Sequence, residues 1–337
     1  MSRSNRRGLL AVIEPQQDGD APQTVGEYLE EWLWSKQSLR PSTHASYETH
    51  VRRYLVAYLG PVDLGSLRPL HVERMYRELA VRESRGGRPL SAASVRRIHA
   101  TLMSALNMAV RRGLLDRNPA ATVELPRADK ANVETWSSVE LSRFLDAIGD
   151  DRLHLLYLLL GLVGLRRGEA VALRWSEVDL NRGFLRIERS VVRVGSQAVV
   201  GPPKSSSGRR VVAIDDETAR RLQWHQCRQR LEALRRTGAA LTPELVFTTE
   251  DGELLDPAYV SRHFDRLIAR HGLPRIRLHD LRHTSASIGL ESGESLVEVS
   301  RRLGHSSISI TADTYSHISP LVAKESAERL AASVLRR

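Results

Sequence analysis

Residues 278–284 read LHDLRHT, 303–307 read LGHSS and 311–317 read TADTYSH, so one C-terminal stretch carries repeated imidazoles, a permanent cation and a tyrosine. A tyrosine hydroxyl, with an ordinary pKa near ~10, attacks phosphorus poorly unless a proton acceptor and strong cations accompany it. Both kinds of residue stand here. If 278–291 is a helix, His279 and Arg282 lie three residues apart on one face and address the same phosphate. The guanidinium supplies a planar, permanently charged fork, whereas the imidazole can titrate. By itself H-x-x-R also suits a solvated helix face, so the rest of the chain has to decide.

Upstream, GLRRGEA at 164–170 follows the apolar run 153–163. The break at Gly164 predicts a new helix with Arg166 in its first turn and Glu169 three residues on, close enough to orient or neutralise it. The same pair also serves as an ordinary capping arrangement. Further on, VGPPKSSSGRRVVAI at 200–214 places Lys204 in a Gly/Pro/Ser stretch between two β-prone runs, 184–194 and 209–214. This predicts a lysine on or beside a hairpin turn. Of 50 basic residues only Lys36, Lys130, Lys204 and Lys324 are lysines. An ammonium can release a proton in a tuned site and a guanidinium cannot, so a basic general acid here has to be a lysine. Chance placement on a polar turn explains Lys204 equally well in isolation.

Taken in order, Arg166, Lys204, His279, Arg282, His305 and Tyr315, with Glu169 in the acidic position, resemble the catalytic set of the tyrosine recombinases, or phage-type integrases. The resemblance runs from about Thr24 to the C-terminus; HDLRHTSAS, LGHSSISIT and DTYSH are its most specific parts, and Lys204 aligns least securely. It implies that Tyr315 attacks a DNA phosphodiester to give a 3′-phosphotyrosyl link and a free 5′-hydroxyl. A second 5′-hydroxyl then reverses the step, with no ATP, cofactor or metal. Arg166 and Arg282 would hold the non-bridging oxygens, and His305 would add a hydrogen bond. Lys204 would protonate the leaving oxygen and His279 would handle the tyrosine proton. Arg167 has the same chemistry as its neighbour, but the G-L-R pattern selects Arg166. His283 and His317 read as structural, and Asp280 and Asp313 as helix-start or solvated residues. A zinc site on His279 and His283 is disfavoured by Arg282 between them.

The resemblance also sets the expected architecture: a mainly α protein, with an N-terminal four-helix SAM-like core-binding domain. A mixed, mostly helical catalytic domain with a small antiparallel β-sheet follows, and together they form a C-shaped clamp around DNA. The divisions are a disordered lead at 1–22, the core-binding domain at 23–126, a polar linker at 127–135 and the catalytic domain at 136–337. Helical patterns begin at the Thr24 cap and continue over 42–59, 69–82 and 91–112. A further helix starts around Trp136 with S-x-x-L in place of a full capping box. The last segment, 320–334, reads as an amphipathic helix that docks either in cis or on a neighbouring protomer.

Net charge is +10, shared about evenly between the two halves, which suits a phosphate-binding surface. Implied partners are double-stranded DNA, a homo-tetramer on paired recombination sites, and an excisionase or other accessory DNA-bending protein, with no membrane. Cys227 is the single cysteine, expected to pack on a helix around 218–236, so no intramolecular disulfide forms. The N-terminal apolar stretch is too short for a secretory signal, and the run around 153–165 is too short for a bilayer. A cytoplasmic location follows. Many phage integrases carry an additional arm-binding domain; the short lead before Thr24 predicts a simpler two-domain recombinase, or an integrase whose arm-binding part is absent or unusual. A type IB topoisomerase-like enzyme and a non-catalytic DNA-binding relative are the competing readings, and competent residues at every catalytic position argue against the second.

Overall fold

A computed structural model describes residues 23–81, 89–127, 134–195, 197–238, 243–315, 327–328, 331 and 334–335. The expected disordered lead, most of the 127–135 linker and most of the expected last helix lie outside the described residues. Contacts divide the chain into two compact units, 1–130 and 131–337.

In the first unit, helix α1 (Val25–Trp34) begins at a capping box, in which the Thr24 hydroxyl accepts from the Glu27 amide and the Glu27 carboxylate accepts from the Thr24 amide at 2.9 Å. Its buried stripe, Val25, Tyr28, Leu29, Trp32 and Leu33, repeats at helical spacing. The expected 42–59 helix is one helical run with a change of winding: α2 (Pro41–His50), a π-turn over Val51–Leu55, then α3 (Val56–Leu59). Helices α4 (Pro69–Val81) and α5 (Ala92–Arg111) complete the unit. Val72, Met75 and Leu79 pack with Ile98, Leu102 and Leu106 around Trp32 and Tyr28. Each such buried side chain contributes about 1.5–3 kcal/mol of transfer free energy. The Tyr28 hydroxyl donates to the Ala105 carbonyl at 2.6 Å, so the ring brings no unpaired polar atom into that core.

The second unit starts with α6 (Ser138–Ala147), and here the sequence expectation needs correction. Ser137 is the cap and Glu140 stands three residues on, so both halves of a capping box are made. Next come α7 (His154–Leu158), a π-turn over Leu159–Val163 and the short α8 (Arg167–Ala172). The β-prone run 184–194 is two strands rather than one. After β1 (Val178–Asp179), β2 (Phe184–Ile187) pairs with the later β5 (Arg210–Ala213), whereas β3 (Ser190–Val194) turns back on β4 (Gln197–Gly201). Antiparallel register sets Leu185 opposite Val212, both buried, and Ile187 opposite Arg210. Helices α9 (Asp216–Thr237), α10 (Pro257–Arg270), α11 (Asp280–Glu291), α12 (Leu296–Leu303) and α13 (Ile308–Tyr315) follow. Cys227 lies on α9 but is exposed and not packed.

Trp136, Phe144, Tyr157 and Phe264 form an aromatic centre with ring centroids 5.1–5.8 Å apart. Trp136 ties this centre to the functional helix: its backbone N–H donates to the Thr284 hydroxyl and its indole N–H to the Pro274 carbonyl, each at 3.0 Å. Helix α11 is thereby fixed on both sides of the LHDLRHT motif.

Candidate active site

Helix α11 starts at Asp280, two residues later than expected, because His279 is its cap. Asp280 is buried and accepts from the Arg277 amide and from Arg277 Nε and Nη2 at 2.8–2.9 Å, pinning the helix start. Of the two expected roles it takes that of a helix-start residue, and it is buried rather than solvated. Arg282 is only 3% exposed; its Nη1 donates to the Gly164 carbonyl at 2.6 Å and its Nη2 to the Leu303 carbonyl. Gly164 is suited to this junction: it closes the π-turn with φ +73°, and a Cβ there would stand 2.4 Å from Leu303 Cδ2.

Arg166 is itself the cap of α8 and not a first-turn residue. Its amide and its Nη1 both donate to the buried Glu169 carboxylate, at 3.0 and 2.7 Å, while its Nη2 donates to the Gly304 carbonyl at 3.0 Å. Arg210 is a residue that sequence reasoning missed. Its side chain is 7% exposed, and its fork meets the same carboxylate with Nη1–Oε1 at 3.2 Å and Nη2–Oε2 at 2.9 Å. Burial pushes the Glu169 carboxyl upward, but hydrogen bonds and charge from Arg210, then the charge of Arg166, outweigh it and hold the group below its ordinary pKa. Arg210 Nε also donates to the Arg302 carbonyl at 2.6 Å.

Three arginines from three elements therefore donate to three successive carbonyls, those of Arg302, Leu303 and Gly304. These are the terminal carbonyls of α12, which helix geometry leaves without intrahelical partners and which carry the negative end of the helix dipole. Gly304, with φ +67°, turns the chain out of α12, and a Cβ there would lie 2.7 Å from the Ser207 carbonyl. His305 follows immediately, with its amide on the Ser300 carbonyl at 3.1 Å and its Nδ1 hydrogen bonded to the Thr311 hydroxyl at 2.8 Å. Thr311, fully buried, is a second residue whose role the sequence did not reveal.

Both imidazoles are neutral at pH 7. His279 is lowered to about 4 by burial, then by His283 and Arg282. Its residue surface is nonetheless exposed, which tempers the burial effect, while the cations act in the same direction. His305 is lowered to about 4 by burial, then Arg282 and Arg166. The rings of His279 and His283 meet edge to face, 5.4 Å apart.

Lys204 lies beside a hairpin and not on its turn. The β3–β4 hairpin turns at Gly195, and Lys204 sits three residues beyond the end of β4, exposed on the segment leading to β5. It lines a cavity of about 750 Å³ together with Arg166, Arg167 and His279. Arg167 differs from its neighbour in direction, donating to the Ser261 hydroxyl of α10 at 2.6 Å. Tyr315 is the last residue of α13; its side chain, with Asp313 and His317, lies outside what is described.

Residues 137–321 match the model of the Phage integrase family, and residues 24–80 that of the Phage integrase, N-terminal SAM-like domain. A tyrosine recombinase XerC-like protein of Caldanaerobacter subterraneus subsp. tengcongensis is 30% identical over 318 residues, covering 88% of this chain and 80% of that protein. The ICEBs1 integrase of Bacillus subtilis is 29% identical over 245 residues, 72% of this chain and 66% of the other. Among solved structures, the Tn1549 transposon integrase in complex with transposon right end DNA superimposes with a TM-score of 0.75 at 20% identity, over 91% of this chain and 99% of that one, which shows a shared fold.

Proposed function

The chain belongs to the phage integrase family, the tyrosine recombinases that cleave and rejoin DNA, and on that premise we propose how its own residues recombine double-stranded DNA in the integration or excision of a mobile element. Tyr315 Oη attacks a backbone phosphorus. The P–O5′ bond breaks, a 3′-phosphotyrosyl bond forms, and the departing 5′-oxygen takes a proton from Lys204. His279, neutral at pH 7, accepts the tyrosine proton. Arg166 and Arg282 offset the charge that grows on the non-bridging oxygens, and His305 donates to the same phosphate. The phosphotyrosyl bond keeps the energy of the broken phosphodiester, so rejoining to another 5′-hydroxyl requires no nucleotide or metal.

The observation that carries this reading is the shared backbone frame. Arg166 and Arg282, distant in sequence, are joined through the carbonyls of Gly164, Leu303 and Gly304, and His305 follows directly on Gly304. Charges fixed this way need no reorganisation when the transition state forms. Residues 23–126 are assigned to duplex binding and 136–337 to the chemistry. Exchange of both strands between two duplexes needs four tyrosines, hence a homo-tetramer on paired sites, with accessory DNA-bending proteins setting direction. Among the described residues no helix is long and apolar enough to cross a membrane, and the proposed place of action is the cytoplasm, where the DNA is. Incubation with two cognate sites on one plasmid tests the proposal. Recombinant products support it, whereas relaxation of supercoils without any recombinant product assigns a topoisomerase activity instead.

A further inference from the structure

Arg166 acts on the phosphate while held by Glu169, and Arg210, the less exposed partner of that carboxylate, has no task in the reaction. Glu169, 2% exposed, faces two guanidinium groups: Arg166, whose side chain is 35% exposed at the cavity, and Arg210, whose side chain is 7% exposed beneath it. We propose that Arg210 is a positioning residue for DNA cleavage, neutralising Glu169 from behind so that Arg166 keeps its positive charge for the scissile phosphate, and fixing the Lys204 segment and His305 in one frame. This rests on the recombinase reading above.

One carboxylate between two guanidiniums leaves the group with a net single positive charge, carried on the exposed side by Arg166. Without Arg210 the carboxylate and Arg166 form a closed pair of zero net charge, and a buried carboxylate with one partner fewer draws that partner inward. Arg210 Nη1 also donates to the Gly208 carbonyl at 3.1 Å, and its Nε to the Arg302 carbonyl at 2.6 Å. Gly208 ends the turn Ser206–Gly208 that follows Lys204, and Arg302 stands three residues before His305. One guanidinium thus braces the segment carrying the proposed general acid against the helix end carrying the phosphate-binding imidazole. Lysine cannot substitute, because a single ammonium cannot span a carboxylate and two carbonyls placed around a planar fork.

The test compares the full chain with Arg210→Met, Arg210→Lys, Glu169→Gln and the double variant Arg210→Met/Glu169→Gln. Thermal unfolding is measured for each, and covalent adduct formation is followed in single turnover on a nicked core-site duplex below every midpoint. Equilibrium DNA binding is measured alongside, with Tyr315→Phe as the blank. Arg210→Met is expected to slow cleavage by about 10²-fold, the range seen when one preorganised transition-state donor is lost, while DNA affinity changes less than about threefold. Removing the uncompensated carboxylate in the double variant is expected to recover about tenfold of that loss, since neighbouring charges couple non-additively. A parental cleavage rate in Arg210→Met overturns the proposal, and so does a double variant no faster than Arg210→Met, since a purely structural role gives no such recovery. If Arg210→Met does not fold, Arg210→Gln, which also removes the charge, and its Glu169→Gln combination are judged by the same recovery. Absence of an adduct with the parent chain would instead refute the recombinase reading.

Discussion

Replacing Arg282 with lysine removes a two-pronged donor from a position only 3% exposed. The guanidinium bonds the carbonyls of Gly164 and Leu303, and an ammonium reaches one of them at most. A hydrogen bond to a charged partner contributes about 1.5–3 kcal/mol, and a buried carbonyl left short is destabilising by a similar amount. The net loss is therefore about 2–3 kcal/mol. For a unit of this size each kcal/mol moves the unfolding midpoint by about 2–4 °C, giving an expected fall of ~4–12 °C. Chemistry suffers separately: loss of one preorganised donor to the developing charge slows cleavage by about 10²–10³-fold. Far-ultraviolet circular dichroism on heating reads the first effect, and single-turnover adduct formation well below both midpoints reads the second. A midpoint within about 1 °C of the parent would refute the account of how α11 is joined to Gly164 and α12. A lowered midpoint with unchanged cleavage would leave Arg282 a structural residue only.

Acid should weaken both fold and reaction. His279 and His305 fall to about 4 in the folded state against an ordinary value near 6.5, so between those limits the unfolded chain binds more protons. Stability is complete above about pH 6.5 and declines as pH falls toward about 4, and adduct formation should follow as the His279 base becomes charged; denaturant titrations at pH 7.5 and 5 showing equal stability would contradict this. Ser137→Ala removes one half of a capping box and should cost about 1 kcal/mol in chemical denaturation. Phe264→Ala empties the aromatic centre and should cost about 3–5 kcal/mol, with the aromatic near-ultraviolet signal diminished. Gly304→Ala forces a left-handed Cβ against the Ser207 carbonyl, and is expected to slow cleavage more than it weakens DNA binding, as a gel-shift series beside adduct formation would show.

Residues that act through local spacing were legible in the chain. The Thr24 cap, the apolar stripe of α1 and the Gly164 break all rest on neighbours within one helical turn. Ser137 with Glu140 is equally local, but S-x-x-L starts the count at Ser138, one residue past the serine that caps the helix. What escaped was tertiary. Arg210 lies 41 residues from the carboxylate it neutralises, inside a β-prone run where nothing marks it apart from Arg209. The run 184–194 has strand composition throughout, yet Glu188 and Arg189 separate two strands that take different partners. Arg189 pairs there with the buried Glu177, a contact no periodicity announces. Lys204 is legible as a residue on or beside a hairpin, but the strands around it are not, because β3 and β4 pair with each other between the paired β2 and β5.

The most direct measurement is the identity of the residue that becomes joined to DNA. The full chain is trapped on a nicked cognate duplex, digested, and the nucleotide-bearing peptide sequenced by mass spectrometry. The account predicts a 3′-phosphate ester on Tyr315, absent in Tyr315→Phe and strongly reduced in Arg166→Ala and Arg282→Lys. An adduct on another residue, or cleavage that leaves no covalent intermediate in the parent while Tyr315→Phe behaves identically, would contradict it.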